Sequence, residues 1–149
     1  MIKKIFFYVL IFTLGSCGYE PMYSKKDVLS KDIQSFKVEG DRSLNKKIIS
    51  SLRLKNNGDT AGYKLIINSN KKLESASKDF SGNTSVYKTK VTVKITLINN
   101  NKILKEKIFS SEFTYNNIEN KFDLSQYQKD IETNLINEII EEIYIFLAL

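Results

Sequence analysis

The most regular stretch of the chain runs from Thr84 to Leu97, where Tyr87, Thr89, Val91, Val93, Ile95 and Leu97 alternate with Val86, Lys88, Lys90, Thr92, Lys94 and Thr96. Successive side chains on a strand point to opposite faces, so this period of two predicts a half-buried strand with its apolar face inward and a row of lysines outward. Asn99, Asn100 and Asn101 follow, residue types that tolerate positive φ, and Ile103 to Tyr115 again has strand composition. Together they predict a hairpin, with a bulge where the alternation slips near Lys105 to Lys107. Upstream, Tyr63, Leu65 and Ile67 alternate with Lys64 and Asn68 and predict a strand, although Ile66 breaks the pattern. The polar residues from Asn68 to Asn83, among them Ser75, Ser77, Ser81 and Gly82, read as the end of that strand and a mobile loop.

Two segments carry the helical period instead. After a short strand with Ile33, Phe36 and Val38 as apolar members and Gly40 at its end, Asp41 or Ser43 can cap a helix. In it Leu44, Ile48, Ser51, Leu52 and Lys55 share a face, Lys46, Lys47 and Arg53 are left to solvent, and Asn56-Asn57-Gly58-Asp59 supplies the stop. Near the other terminus Asn116, Asn117 and Asn120 form a loop, and Asp123 or Ser125 caps a long helix. Its stripe is Tyr127, Ile131, Leu135, Ile139, Ile143 and Leu147, widened by Ile136, Ile140 and Phe146, with Glu132, Asn134, Glu138, Glu141 and Glu142 elsewhere. The apolar residues after Glu142 are too few to span a bilayer, which takes about 20, so they are expected to pack on the core. The predicted order is β-α-β-β-β-α. A sheet with one apolar face and two amphipathic helices bury each other as a two-layer α+β sandwich, with four mostly antiparallel strands.

The first 16 residues have another pattern. Lys3 and Lys4 form a positive start, Ile5 to Thr13 a short apolar run, and Leu14-Gly15-Ser16-Cys17 matches the lipobox of bacterial lipoprotein precursors. In such precursors the cysteine thiol is acylated and the peptide is cleaved before it. The expected organisation is a signal peptide over 1–16, an acylated tether over 17–30 and one domain over 31–149. The bland alternative is an ordinary secretion signal with an incidental cysteine. Cys17 is the sole cysteine, which excludes an intrachain disulfide and a thiolate metal cage; acylation gives a lone thiol a purpose.

Composition narrows the chemistry. The net charge of +6 falls to +4 once Lys3 and Lys4 are removed, leaving 21 of 23 basic side chains against 17 acids. This excess is spread along an exported chain, which argues against nucleic acid as a partner. The chain has no histidine, so it lacks the commonest general base and metal ligand. No phosphate loop, GxSxG elbow or HExxH pair occurs, and Glu138, Glu141 and Glu142 read as a solvated helix face. A binding or assembly role without cofactor, apart from covalent lipid on Cys17, is expected rather than an enzyme.

Cys17-Gly18-Tyr19-Glu20-Pro21-Met22-Tyr23, a lipobox cysteine followed by an aromatic, a proline and a second aromatic, resembles the mature start of the lipopolysaccharide-assembly lipoproteins of the LptE family. The element order, the Tyr63-Lys64-Leu65 strand start, the Thr84 to Leu97 hairpin arm and the spacing of Tyr115-Asn116 to Tyr127 are similar too. The resemblance implies a lipoprotein held in the outer membrane and facing the periplasm. It would plug and help assemble the β-barrel of LptD as its 1:1 partner and support lipopolysaccharide delivery to the cell surface. Gly18, in place of the aspartate associated with inner-membrane retention, agrees with that sorting. Lysines two apart on a strand stand roughly 6 to 7 Å apart, near enough to converge on a phosphate. Lys88, Lys90 and Lys94 are therefore candidate lipopolysaccharide contacts, against the plainer reading of a solvated sheet face. The rival class is a stand-alone periplasmic lipoprotein that binds a small ligand or peptidoglycan.

Overall fold

The computed structural model describes residues 33–56 and 62–148. The signal segment, Cys17, the tether and the Asn57-Gly58-Asp59 turn lie outside the described residues. The elements are β1 (Ile33–Gly40), α1 (Arg42–Ser51), β2 (Tyr63–Lys78), β3 (Thr84–Asn99), β4 (Lys102–Asn116) and α2 (Lys121–Ala148). The predicted α+β order holds. The strands form one sheet in the order β1-β2-β3-β4, parallel between β1 and β2 and antiparallel elsewhere.

Both helices cover one face. The core joins Leu44 and Ile48 of α1, Leu65 and Ile67 of β2, Val91, Val93 and Ile95 of β3, Phe109 of β4 and the stripe from Ile131 to Ile143 of α2. Ile33 and Phe36 reach the same layer although they are three positions apart, because the β1 register slips between Ile33 and Ser35 and leaves Gln34 as an extra residue. Asp41 is the α1 cap, its Oδ1 accepting from the Ser43 and Leu44 amides at 2.9 and 3.0 Å. The turn before it needs Gly40, whose φ is +88° and on which a Cβ would meet the Ser69 carbonyl oxygen at 1.9 Å.

Several boundaries differ from the sequence expectation. The Asn68 to Asn83 segment is not a loop: β2 continues to Lys78, paired against β3 as far as Thr84, and only the tip from Asp79 to Asn83 turns. Its residues are polar because the far half of β2 is exposed, so no apolar alternation marks it, while the ladder satisfies its backbone. α1 ends at Ser51, with Arg53 at φ 51°, and Lys55 lies beyond it. α2 starts earlier than expected, capped by Asn120, whose Oδ1 accepts from the Phe122 amide at 2.9 Å. Tyr127 begins the predicted apolar stripe but remains 39% exposed; its ring meets Tyr115 edge-on at 5.6 Å. The β3–β4 turn places Asn100 and Asn101 at φ 47° and 60°. The bulge falls at Leu104, just before Lys105, where the register jumps from Ile98↔Ile103 to Leu97↔Lys105.

Candidate functional site: the open face of the sheet

The face turned away from the helices is ionic, and the bulge at Leu104 builds it. Counting back from the turn without a bulge would place Ser111 opposite Lys90. The extra residue places Glu112 there instead, and Glu106 opposite Thr96. A slip of one residue exchanges the faces of a strand. Leu104 thus sends Glu106 and Glu112 to the lysine face and Phe109 and Tyr115 to the core.

Lys88, Lys90 and Lys94 share this open face, and each meets a carboxylate of β4. Lys88 Nζ lies 2.7 Å and Lys90 Nζ 3.6 Å from Glu112, and Lys94 Nζ lies 3.0 Å from Glu106. Thr96 also donates to Glu106 at 3.0 Å. Toward β1 the pattern continues with Lys37 and Glu39 at 2.8 Å, Asn68 donating to Glu39 at 3.2 Å, and Lys72 paired with Glu74. The hydrogen bond from Lys88 holds the Glu112 carboxyl below its ordinary value, helped by the charge of Lys90 and opposed by burial. Hydrogen bonds from Lys94 and Thr96 lower Glu106 in the same way. The reciprocal bond to Glu112 raises Lys88.

The predicted lysine row is therefore real as geometry, but its charge is answered at each position. Sequence reading missed the glutamates as partners. The asparagine turn fixes which strands pair, yet the parity of β4 depends on a bulge at Leu104 rather than among Lys105 to Lys107. Elsewhere a shallow groove between β1 and α1 is lined by Val38, Gly40, Asn45 and Ile49, with Arg42 and Lys46 at its rim. Among the described residues no group of three or more His, Cys, Asp or Glu side chains is placed to hold a metal ion. No helix there is long and apolar enough to cross a membrane.

No protein-family model matches the chain, and no curated protein matches it significantly. The fold, however, recurs in solved structures. A Caulobacter crescentus CB15 protein assigned as a lipoprotein is 16% identical with a TM-score of 0.57, covering 84% of this chain and 93% of its own. Rare lipoprotein B of Shewanella oneidensis is 11% identical with a TM-score of 0.59 over 76% and 93%. A minor lipoprotein of Acinetobacter baumannii is 12% identical with a TM-score of 0.58 over 77% and 90%. The chain shares the fold of these bacterial lipoproteins.

Proposed function

We propose that the protein is exported, acylated at Cys17 and held in the outer membrane, where it plugs and helps assemble the LptD β-barrel and supports lipopolysaccharide delivery. The role is structural, with no catalysis and no cofactor. The observation that carries it is the open sheet face. A barrel lumen is polar, so a plug must offer hydrogen-bonding groups without large unpaired charge. The Lys88, Lys90 and Lys94 ladder with Glu112 and Glu106 does this. β3 has 16 residues, about 50 Å at roughly 3.3 Å each, longer than the roughly 30 Å hydrocarbon thickness a barrel encloses.

The lipobox at Cys17 supports the anchor, as does a fold shared with lipoproteins. Contact of Lys88, Lys90 and Lys94 with lipopolysaccharide phosphate stays within this proposal, with a refinement. A phosphate would have to displace Glu112 and Glu106, so direct contact with barrel side chains is the better use of this face. The rival stand-alone module rests on the shallow β1–α1 groove.

Affinity purification of the tagged, acylated protein from detergent-solubilised outer membranes, followed by mass spectrometry, tests the reading. Equimolar recovery of a large β-barrel protein is the expected result. Recovery of the lipoprotein alone from membranes with intact LptD would favour the stand-alone module.

A further inference from the structure

The ionic pattern of the open face gives way to isoleucines at one end. Lys64, Ile98 and Ile103 share one rung of the sheet, and Ile66, Thr96 and Glu106 share the next rung of that face. Ile98 and Ile103 stand directly opposite each other, and Ile66 is the diagonal neighbour of Ile98 at about 7–8 Å. Ile66 and Ile98 are half-buried, and Ile103 is 63% exposed. Thr96 lies among them and is only 7% exposed, its hydroxyl donating to Glu106. Lys64, at the margin of the group, has no ion pair among the described residues.

Aliphatic side chains grouped on the solvent side of a sheet mark a contact surface, and this group lies where the chain enters the domain. Ile33 pairs with Tyr63, next to Lys64. The sheet order puts β3 two strands and β4 three strands from β1, about 10 and 14 Å at roughly 4.8 Å per strand. Immediately before Ile33 the sequence reads Asp27-Val28-Leu29-Ser30-Lys31-Asp32. Leu29 is four positions from Ile33, at most about 14 Å of extended chain, and Val28 is one position further. This apolar pair therefore reaches Ile98 and Ile103, and the carboxylate of Asp32 comes close to Lys64. We infer that residues 27–32 lie on this end of the open face, with Val28 and Leu29 covering Ile66, Ile98 and Ile103 and with Asp32 paired to Lys64.

The segment is favoured over a separate partner because it is already joined to the sheet. Closing a short loop costs far less than bringing two molecules together. The contact is independent of the barrel partner and of acylation. It makes the chain part of the domain from residue 27 onward and leaves at most about 43 Å of extended chain between Leu29 and Cys17. It also divides the open face. The isoleucine end is held by the protein's own chain, while Lys88, Lys90 and Glu112 lie further along β3 and β4 and stay available to a partner.

Photo-cross-linking tests the contact in the full-length protein. The photo-reactive residue p-benzoylphenylalanine replaces Leu29, membranes of the producing cells are irradiated, and the products are sized on a denaturing gel, digested with trypsin and mapped by mass spectrometry. The expected product has monomer mass and joins residues 27–31 to residues 65–71, 95–102 or 103–105, the tryptic peptides that hold Ile66, Ile98 and Ile103. Adding Ile98→Asp and Ile103→Asp should lower its yield several-fold with the circular dichroism spectrum unchanged. If that double variant does not fold, Ile103→Asp alone, at a position 63% exposed, takes its place. A product of dimer mass, a product joined to lipid or to a barrel protein, or a link to any other part of the domain overturns the inference. So does a yield that survives the aspartates, or the absence of product with the probe at Leu29 and again at Val28.

Discussion

At the scale of single residues, the joint between β1, α1 and β2 depends on polar side chains inside the core. Ser69 is 1% and Asn45 5% exposed. Ser69 Oγ donates to Asn45 Oδ1 at 2.9 Å, and Asn45 Nδ2 donates to the Glu39 carbonyl at 2.9 Å. The Asp41 amide donates to the Ser69 carbonyl at 2.9 Å. The strand-to-helix corner is thereby fastened to the neighbouring strand by groups that each have a partner. Asn45→Leu preserves the apolar face of α1 but removes the side-chain donor to the Glu39 carbonyl and leaves the Ser69 hydroxyl only the longer bond to the Asp41 carbonyl at 3.2 Å. Leaving a buried polar group unpaired costs about 1–3 kcal/mol, so urea denaturation should show a lowered midpoint of that size. An unchanged midpoint would mean that the apolar gain offsets the lost network.

At the scale of elements, register and helix ends decide the outcome. Deleting Leu104 removes the bulge and turns Phe109 and Tyr115 out of the core while bringing Glu106 and Glu112 toward it. Losing a buried aromatic costs about 3–5 kcal/mol, against a total stability of about 5–15 kcal/mol, so the deletion should abolish cooperative unfolding. Leu104→Ala keeps the bulge and should stay within about 0.5 kcal/mol of the parent; thermal melts of the pair separate register from side-chain loss. Truncation after Glu142 removes Ile143 and Tyr144, which are 0% and 9% exposed, together with the Tyr144 hydroxyl's donation to the Ser51 carbonyl that ties the helices. At about 2–5 kcal/mol per large core side chain, its melting temperature should fall steeply. The β3 alternation and the α2 stripe were legible because each has one buried face, and the asparagine turn because few residue types accept its φ values. The far half of β2 was not legible, since a strand exposed on both faces has no apolar period. The open face was legible in its lysines and not in its pairing, because one unmarked bulge decides which face Glu106 and Glu112 take.

At the scale of the whole molecule, the open face ties stability to pH through charges shared by all four strands. Glu39, Glu74, Glu106 and Glu112 are each held below the ordinary glutamate value of 4.5, in each case chiefly by a hydrogen bond from a lysine, Lys37, Lys72, Lys94 and Lys88 respectively. A carboxyl with a lowered folded pKa stabilises the fold above its unfolded pKa, and that stability is lost as pH falls through the folded value. Tyr144 has the opposite sign: burial first, then the Glu141 charge, raise it from 10.0, and Lys88 is raised from 10.5 by its hydrogen bond to Glu112. Both contributions are complete below those ordinary values and are lost as pH rises through the higher folded ones. The melting temperature should therefore be level between roughly pH 5 and 9 and fall on both sides. On the acid side the fall should be shallow, because these carboxylates are exposed and screened by salt, and it should flatten further in high salt. Glu106→Gln with Glu112→Gln tests which groups are responsible, since removing both should reduce the acid slope and the Lys88 share of the alkaline fall while leaving the Tyr144 share in place. If the acid slope survives the double substitution, the ladder between β3 and β4 is not what couples the sheet to pH, and the β1 and β2 pairs at Glu39 and Glu74 carry the effect.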